Sequence, residues 1–156
     1  MNHLTSALLC LILLTANVGH ATGQRTNGNT QSEKKPTMKV IYVYDALCGW
    51  CYGFSPNIQQ LHDEYGERVA FEVVSGGMVT GERIGPIGEV APYISWAYQD
   101  VENRTGVKFG EGFLEGVLKE GTAIFTSIPA GIALSIVKDQ RPELALEFAG
   151  RLQKAI

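Results

Sequence analysis

The sequence predicts an α/β fold: one parallel strand–helix–strand unit, followed by helices. Three observations carry that expectation. Lys39 to Tyr44, KVIYVY, is a continuous β-branched and aromatic run of the kind a strand buried on both faces requires. From Gly49 the apolar residues recur at steps of three and four, the helical period. Val69 to Ser75, VAFEVVS, alternates again before Gly76-Gly77, after which strand signals stop.

Within the first unit, Trp50, Phe54, Ile58, Leu61 and Tyr65 are expected to share the buried face of the helix, with Gln59, Gln60, Asp63 and Glu64 turned outward. Pro56 removes the hydrogen bond to the Tyr52 carbonyl and should bend the axis. Gly66 is the expected stop. Two strands joined by a helix of this length make a parallel βαβ unit with a right-handed crossover.

Beyond Gly77, Ile87 to Arg104 carries Ile94, Ala97, Tyr98 and Val101 at helical spacing. Gly110 to Gly121 reads as a short, glycine-rich helix. Ser127-Ile128-Pro129 opens the next one, with serine as cap and proline in the first turn, running to about Lys138. Pro142 opens a last helix through Leu144, Phe148 and Leu152. The division is therefore residues 38–77 for the βαβ unit and 78–156 for an incomplete helical region. Two strands alone leave sheet edges unsatisfied, so further sequence or a partner is expected.

The 156 residues are 45% apolar and 19% charged, a globular composition sufficient for one domain. A formal charge of −3 and the lack of a basic cluster argue against nucleic acid and anionic membrane surfaces as partners. Residues 1–21 hold no Asp, Glu, Lys or Arg; Leu4 to Leu14 is apolar, and Gly19-His20-Ala21 offers small residues for cleavage. That is the pattern of a secretory signal peptide, and the run is too short to cross a bilayer. Residues 22–37 are polar and aperiodic and read as a linker. The expected location is periplasmic or secreted, with no membrane attachment after cleavage; translation from Met38 would instead give a cytoplasmic chain.

Cleavage removes Cys10 and leaves Cys48 and Cys51 as the only thiols. They stand three apart in YDALCGWCYGFSP, at the junction of strand and helix. A cysteine at a helix start meets unsatisfied N–H groups and the positive end of the macrodipole, which favour thiolate over thiol. Cys48 is thus the expected nucleophile, and Cys51, one turn on, the resolving thiol. Zinc lacks a ligand set, since His62 lies about 16 Å along the helix from Cys51 at 1.5 Å per residue. A structural staple across so short a loop would remove little chain entropy.

Gly49 is expected to serve backbone freedom at the turn and to leave room for substrate. Trp50 is either the first core residue of the helix or an exposed platform beside the sulfur, and both residues are expected to tune the redox pair. Asp45 reads as a turn cap, His62 as a surface residue, and Glu82 and Arg83 as a solvated turn within reach of the motif. Asn103-Arg104-Thr105 matches a glycosylation sequon by chance. Tyr93, Trp96 and Tyr98 are core or groove lining.

YVYDALCGWCYGFSP, FEVVSGGMVTGER and SIPAGIALSIVKDQRPELALEF followed by LQKAI resemble the DsbA-like group of thioredoxin-fold proteins, in particular its FrnE-like branch. The resemblance extends from Met38 to the last residue. It implies a thioredoxin-like βαβ unit with a helical insertion after the second strand, and a C-terminal half of the sheet that this sequence does not contain. It also implies thiol–disulfide oxidoreductase or isomerase activity through Cys48 and Cys51, with no cofactor and no metal. The implied partners are polypeptide thiols or disulfides and a redox partner protein. Pro129 is not matched to the cis-proline of that group, because helical sequence follows it.

Overall fold

A computed structural model describes residues 38–156. The expected signal peptide and linker, residues 1–21 and 22–37, lie outside the described residues, and so does Cys10. Strand β1 (Lys39–Tyr44), helix α1 (Gly49–Tyr65) and strand β2 (Ala70–Ser75) form the expected parallel unit. The register sets Val40 opposite Phe71, Tyr42 opposite Val73 and Tyr44 opposite Ser75. Alternate residues of a strand point to opposite sides, so these form one face.

That face is the core. Tyr44, Val73 and Ile58 of α1 pack with Leu134, Ala145, Leu146 and Ala149 of the C-terminal helices, and Val40, Tyr42 and Phe71 border them. The other face departs from the expectation of a strand buried on both sides: Ile41 is 57% and Val43 60% exposed. Continuity of the apolar run gives its strand identity but not which layer covers it.

Helix α1 is rotated relative to the expected face. Ile58 is buried, whereas Trp50, Phe54 and Leu61 are 40% to 46% exposed, and Cys51, Ser55 and His62 lie towards the protein instead. His62 is half-buried, its ring edge-on to Phe71, which corrects its reading as a surface residue. The carbonyl of Tyr52 that Pro56 deprives of a donor is satisfied by the Ser55 hydroxyl at 2.9 Å. That replacement lets α1 continue through the proline as a single helix. Gly66 ends it with an ordinary right-handed backbone, its N–H donated to His62 O.

After β2 the chain forms a second, two-residue antiparallel ladder that the sequence did not signal. β3 (Gly85–Pro86) pairs with β4 (Ile124–Phe125), and the ladder is prolonged by Ile87 N–H to Ala123 O and Gly88 N–H to Gly121 O. Two residues are too few for an alternation to show. The first helix of the region is shorter than expected: a 3-10 turn covers Ile87–Glu89 and α2 is Ala91–Thr105, ended by Gly106 at φ +81. Residues Gly112–Val117 form a wide π-helical stretch leading into α3 (Leu118–Glu120). Helix α4 is Ile128–Gln140, and a 3-10 turn from Pro142 leads into α5 (Ala145–Ala155).

Among the described residues no helix is long and apolar enough to cross a membrane.

Candidate active site

Tyr44 ends β1 in the core, and the chain turns over four residues into α1. Asp45 fixes that turn: its Oδ1 accepts the N–H of Leu47 at 3.0 Å, and its carbonyl accepts the N–H of Cys48 at 3.1 Å. Cys48 follows as the residue that flanks the helix start, with extended backbone, and its carbonyl accepts the N–H of Tyr52. No conventional side-chain cap closes the helix. The Cys48 sulfur stands in that position, where the N–H groups of Cys51 and Trp50 face it.

Cys48 and Cys51 are free thiols, both half-buried. The hydrogen bond from the Cys51 thiol is the largest influence on Cys48 and, with the two N–H groups, lowers its pKa from 9.0 to about 6 against the opposing effects of burial and Asp45. The same bond pushes Cys51 well above the ordinary thiol range, because its proton is held towards the Cys48 sulfur, and burial adds to this. The two sulfurs are thereby differentiated: one ready thiolate, one protonated thiol. Tyr42 donates its hydroxyl to the carbonyl of Cys51 at 3.2 Å and stacks on Tyr44. Burial and the nearby sulfurs push the Tyr42 hydroxyl upward, and Tyr44 is raised to about 12.

The wall beside the dithiol comes from the helical region. Val101 of α2 and the ring of Phe109 close on Gly49, where an added Cβ would lie 3.3 Å from Phe109 Cζ. Gly49 has no left-handed φ, so the turn does not draw on its backbone freedom; the glycine is needed for the space that Phe109 occupies. One turn on, Gly53 lets Thr105 approach, since a Cβ there would sit 2.7 Å from its methyl. Phe109 makes edge contacts with Tyr52 and Tyr98, and Tyr52 donates its hydroxyl to Lys108 O at 3.0 Å.

Trp50 is 45% exposed, with Arg104 of α2 6.0 Å above its ring. Of the two readings open for it, the exposed platform describes its place. Tyr93 and Trp96 also stand in solvent, while Tyr98 joins the Phe109 cluster. Arg83 turns back to the carbonyl of Gly77.

Two contributors were not found in the sequence. Phe109 lies in a segment with no periodicity. Ser127 was expected to cap α4, but makes no cap bond; its hydroxyl goes to Asp45 Oδ1 at 2.9 Å. Among the described residues no group of three or more His, Cys, Asp and Glu side chains is placed to hold a metal.

A parallel βαβ unit with a differentiated dithiol at the start of its helix, followed by a helical region, defines a thioredoxin-like fold of the dithiol class. Solved structures place it more narrowly. The chain is similar to the cytosolic disulfide reductase DsbM from Pseudomonas aeruginosa, at 30% identity and TM-score 0.67 over 76% of this chain and 54% of that one. The same protein with GSH aligns at 29% identity and TM-score 0.66, over 76% and 55% of the two chains. A candidate protein disulfide isomerase from Nitrosomonas europaea aligns at 29% identity and TM-score 0.63, over 75% and 53%. The chain thus spans about half the length of the solved structures it matches. No protein-family description and no curated protein matches it.

Proposed function

We propose that this chain is a thiol–disulfide oxidoreductase or isomerase of the FrnE-like branch, acting through its CGWC dithiol on thiols and disulfides of polypeptides. The observation that carries the reading is the opposite displacement of the two thiols on one helical turn. The Cys48 thiolate attacks a substrate disulfide; a Cys48–substrate bond forms, and the first substrate sulfur leaves as thiolate and takes a proton. The Cys51 thiol then loses its proton and attacks Cys48 Sγ, forming the Cys48–Cys51 disulfide and releasing the second substrate thiol. Two electrons pass to the substrate. The reverse sequence oxidises a substrate dithiol, and release before the second attack isomerises.

Gly49 and Trp50 tune this pair, the first by admitting Phe109 and the second as a platform beside the sulfur. A redox partner restores the dithiol. The neighbour carrying GSH makes glutathione a reductant to try first, alongside a partner protein. The compartment follows from residues 1–21. Cleaved there, the chain works in the periplasm or outside the cell; begun at Met38, it works in the cytoplasm, where the P. aeruginosa reductase is described.

Trapping tests the reaction. Cys51→Ser should accumulate a mixed disulfide with a cysteine-bearing peptide disulfide, seen as a mass increase that dithiothreitol removes. Cys48→Ser should form none, and equal exchange by both variants and the parent chain would refute the proposal.

A further inference from the structure

Asp45 is only 4% exposed, and both its carboxylate oxygens are occupied. Besides Leu47 N–H and the Ser127 hydroxyl on Oδ1, Oδ2 accepts the N–H of Met78 at 2.8 Å. The direction of the serine bond is fixed by its other partner. Val79 N–H donates to Ser127 Oγ at 2.9 Å, so the serine's own proton is free for Asp45. All three contacts are therefore donated to the carboxylate, as an acceptor-only group requires. Gln153 of α5 adds a bond from Nε2 to the Asp45 carbonyl at 3.3 Å.

These partners come from four segments: the dithiol turn, the chain leaving β2, the start of α4 and the last turn of α5. Capping one turn needs only the Leu47 bond. A buried carboxylate is costly unless fully paired, and a neutral asparagine could cap the same turn. The excess of donors from distant segments shows a charge being held in place three residues before the nucleophile.

We propose that Asp45 is a positioning residue for the dithiol: it ties the turn carrying Cys48 to the helical region and keeps a fixed negative charge beside the sulfurs that limits thiolate formation. The proposal rests on the reading of Cys48 as nucleophile, but thiolate formation is measured without turnover and so stands or falls separately from the catalytic reading. The groups that could compete are few. β1 brings Tyr42 and Tyr44, both raised and hence neutral near pH 7; α1 brings Cys51; α4 and α5 bring the neutral Ser127 and Gln153. Arg104 of α2, over Trp50, is paired with Asp100. The Asp45 charge works against ionisation of both thiols, whereas a hydrogen bond from the Asp45 backbone favours it at Cys51.

The experiment is the pH dependence of Cys48 alkylation in the full chain with Cys51→Ser, comparing Asp45, Asp45→Asn and Ser127→Ala. Asp45→Asn should move the midpoint down by about half a unit or more, and in the dithiol protein should favour the reduced form about threefold in a glutathione buffer. Ser127→Ala removes a bond but keeps the charge and should leave the midpoint in place. An unmoved midpoint in folded Asp45→Asn, or equal shifts in both variants, would overturn the proposal, the second outcome assigning the effect to packing. Should Asp45→Asn not fold, the unmutated protein decides. The Asp45 carboxyl carbon must show an NMR titration step at the pH where Cys48 ionises in the reduced protein and none in the oxidised one; without that step the charge is not coupled to the sulfur.

Discussion

The two faces of β1 carry the same kind of residue and meet opposite surroundings. Val40, Tyr42 and Tyr44 look into a core shared with α1, α4 and α5, whereas Ile41 and Val43, one residue over, stand open. The dithiol lies at the end of the covered face, continuous with Tyr44 through Asp45. The sheet therefore supports the site from one of its two faces. Apolar composition fixes that a residue belongs in a strand, but its contribution to stability depends on what lies across from it.

The largest effect should come from emptying the covered face. Tyr44 is buried and stacked on Tyr42, and replacing it with alanine leaves a cavity under the dithiol turn. The expected loss is about 3–5 kcal/mol, read as a lower urea midpoint with little change in slope. A loss no larger than that at an exposed position would mean that the covered face is not the source of stability.

A second contrast runs between the two sulfurs. With Cys48 lowered from 9.0 to about 6, alkylation of Cys48 should rise with pH through a midpoint near 6 and be flat by pH 8. The sign for stability follows from linkage. A depressed folded-state pKa contributes stability that is fully present above about 9 and is lost as pH falls through about 6. The reduced protein should thus gain stability from pH 6 towards 8.5, while the oxidised protein, in which Cys48 no longer titrates, should not show this gain. Cys51, raised in the fold, takes stability away only above its unfolded value, outside that window. Equal slopes for both redox forms would remove the thiolate from the account.

How much of this was legible in the sequence depends on how local each signal was. KVIYVY, VAFEVVS and the CxxC between them were readable because each is decided by neighbours along the chain: side-chain alternation, a helix start, a spacing of three. Pro129 and Pro142 marked helix starts for the same reason. The rotated face of α1 was not readable, since Trp50, Phe54 and Leu61 fit a helical stripe as well as Cys51, Ser55 and Ile58 do, and only the packed helices choose between them. β3 and β4 are two residues each and depend on partners almost forty positions apart. Within the site, Cys48 and Cys51 were found by pattern, and Asp45 as a turn cap. Its bonds to Met78 and Ser127, 33 and 82 residues away, have no local signature, and neither does Phe109 against Gly49.

The smallest effect belongs to the open face and completes the comparison. Val43 and threonine have nearly the same shape and similar strand preference, so Val43→Thr changes little except the polarity of one γ group. At a position 60% exposed the hydroxyl stays in water, and the cost should be within about 0.5 kcal/mol. The same exchange at Val73, which is buried on the covered face opposite Tyr42, places that hydroxyl in the core with no partner of its own, at about 1–3 kcal/mol. Paired urea titrations of the two variants measure the difference between the faces directly. If Val43→Thr costs as much as Val73→Thr, something covers Ile41 and Val43 in solution, and the open face is an interface.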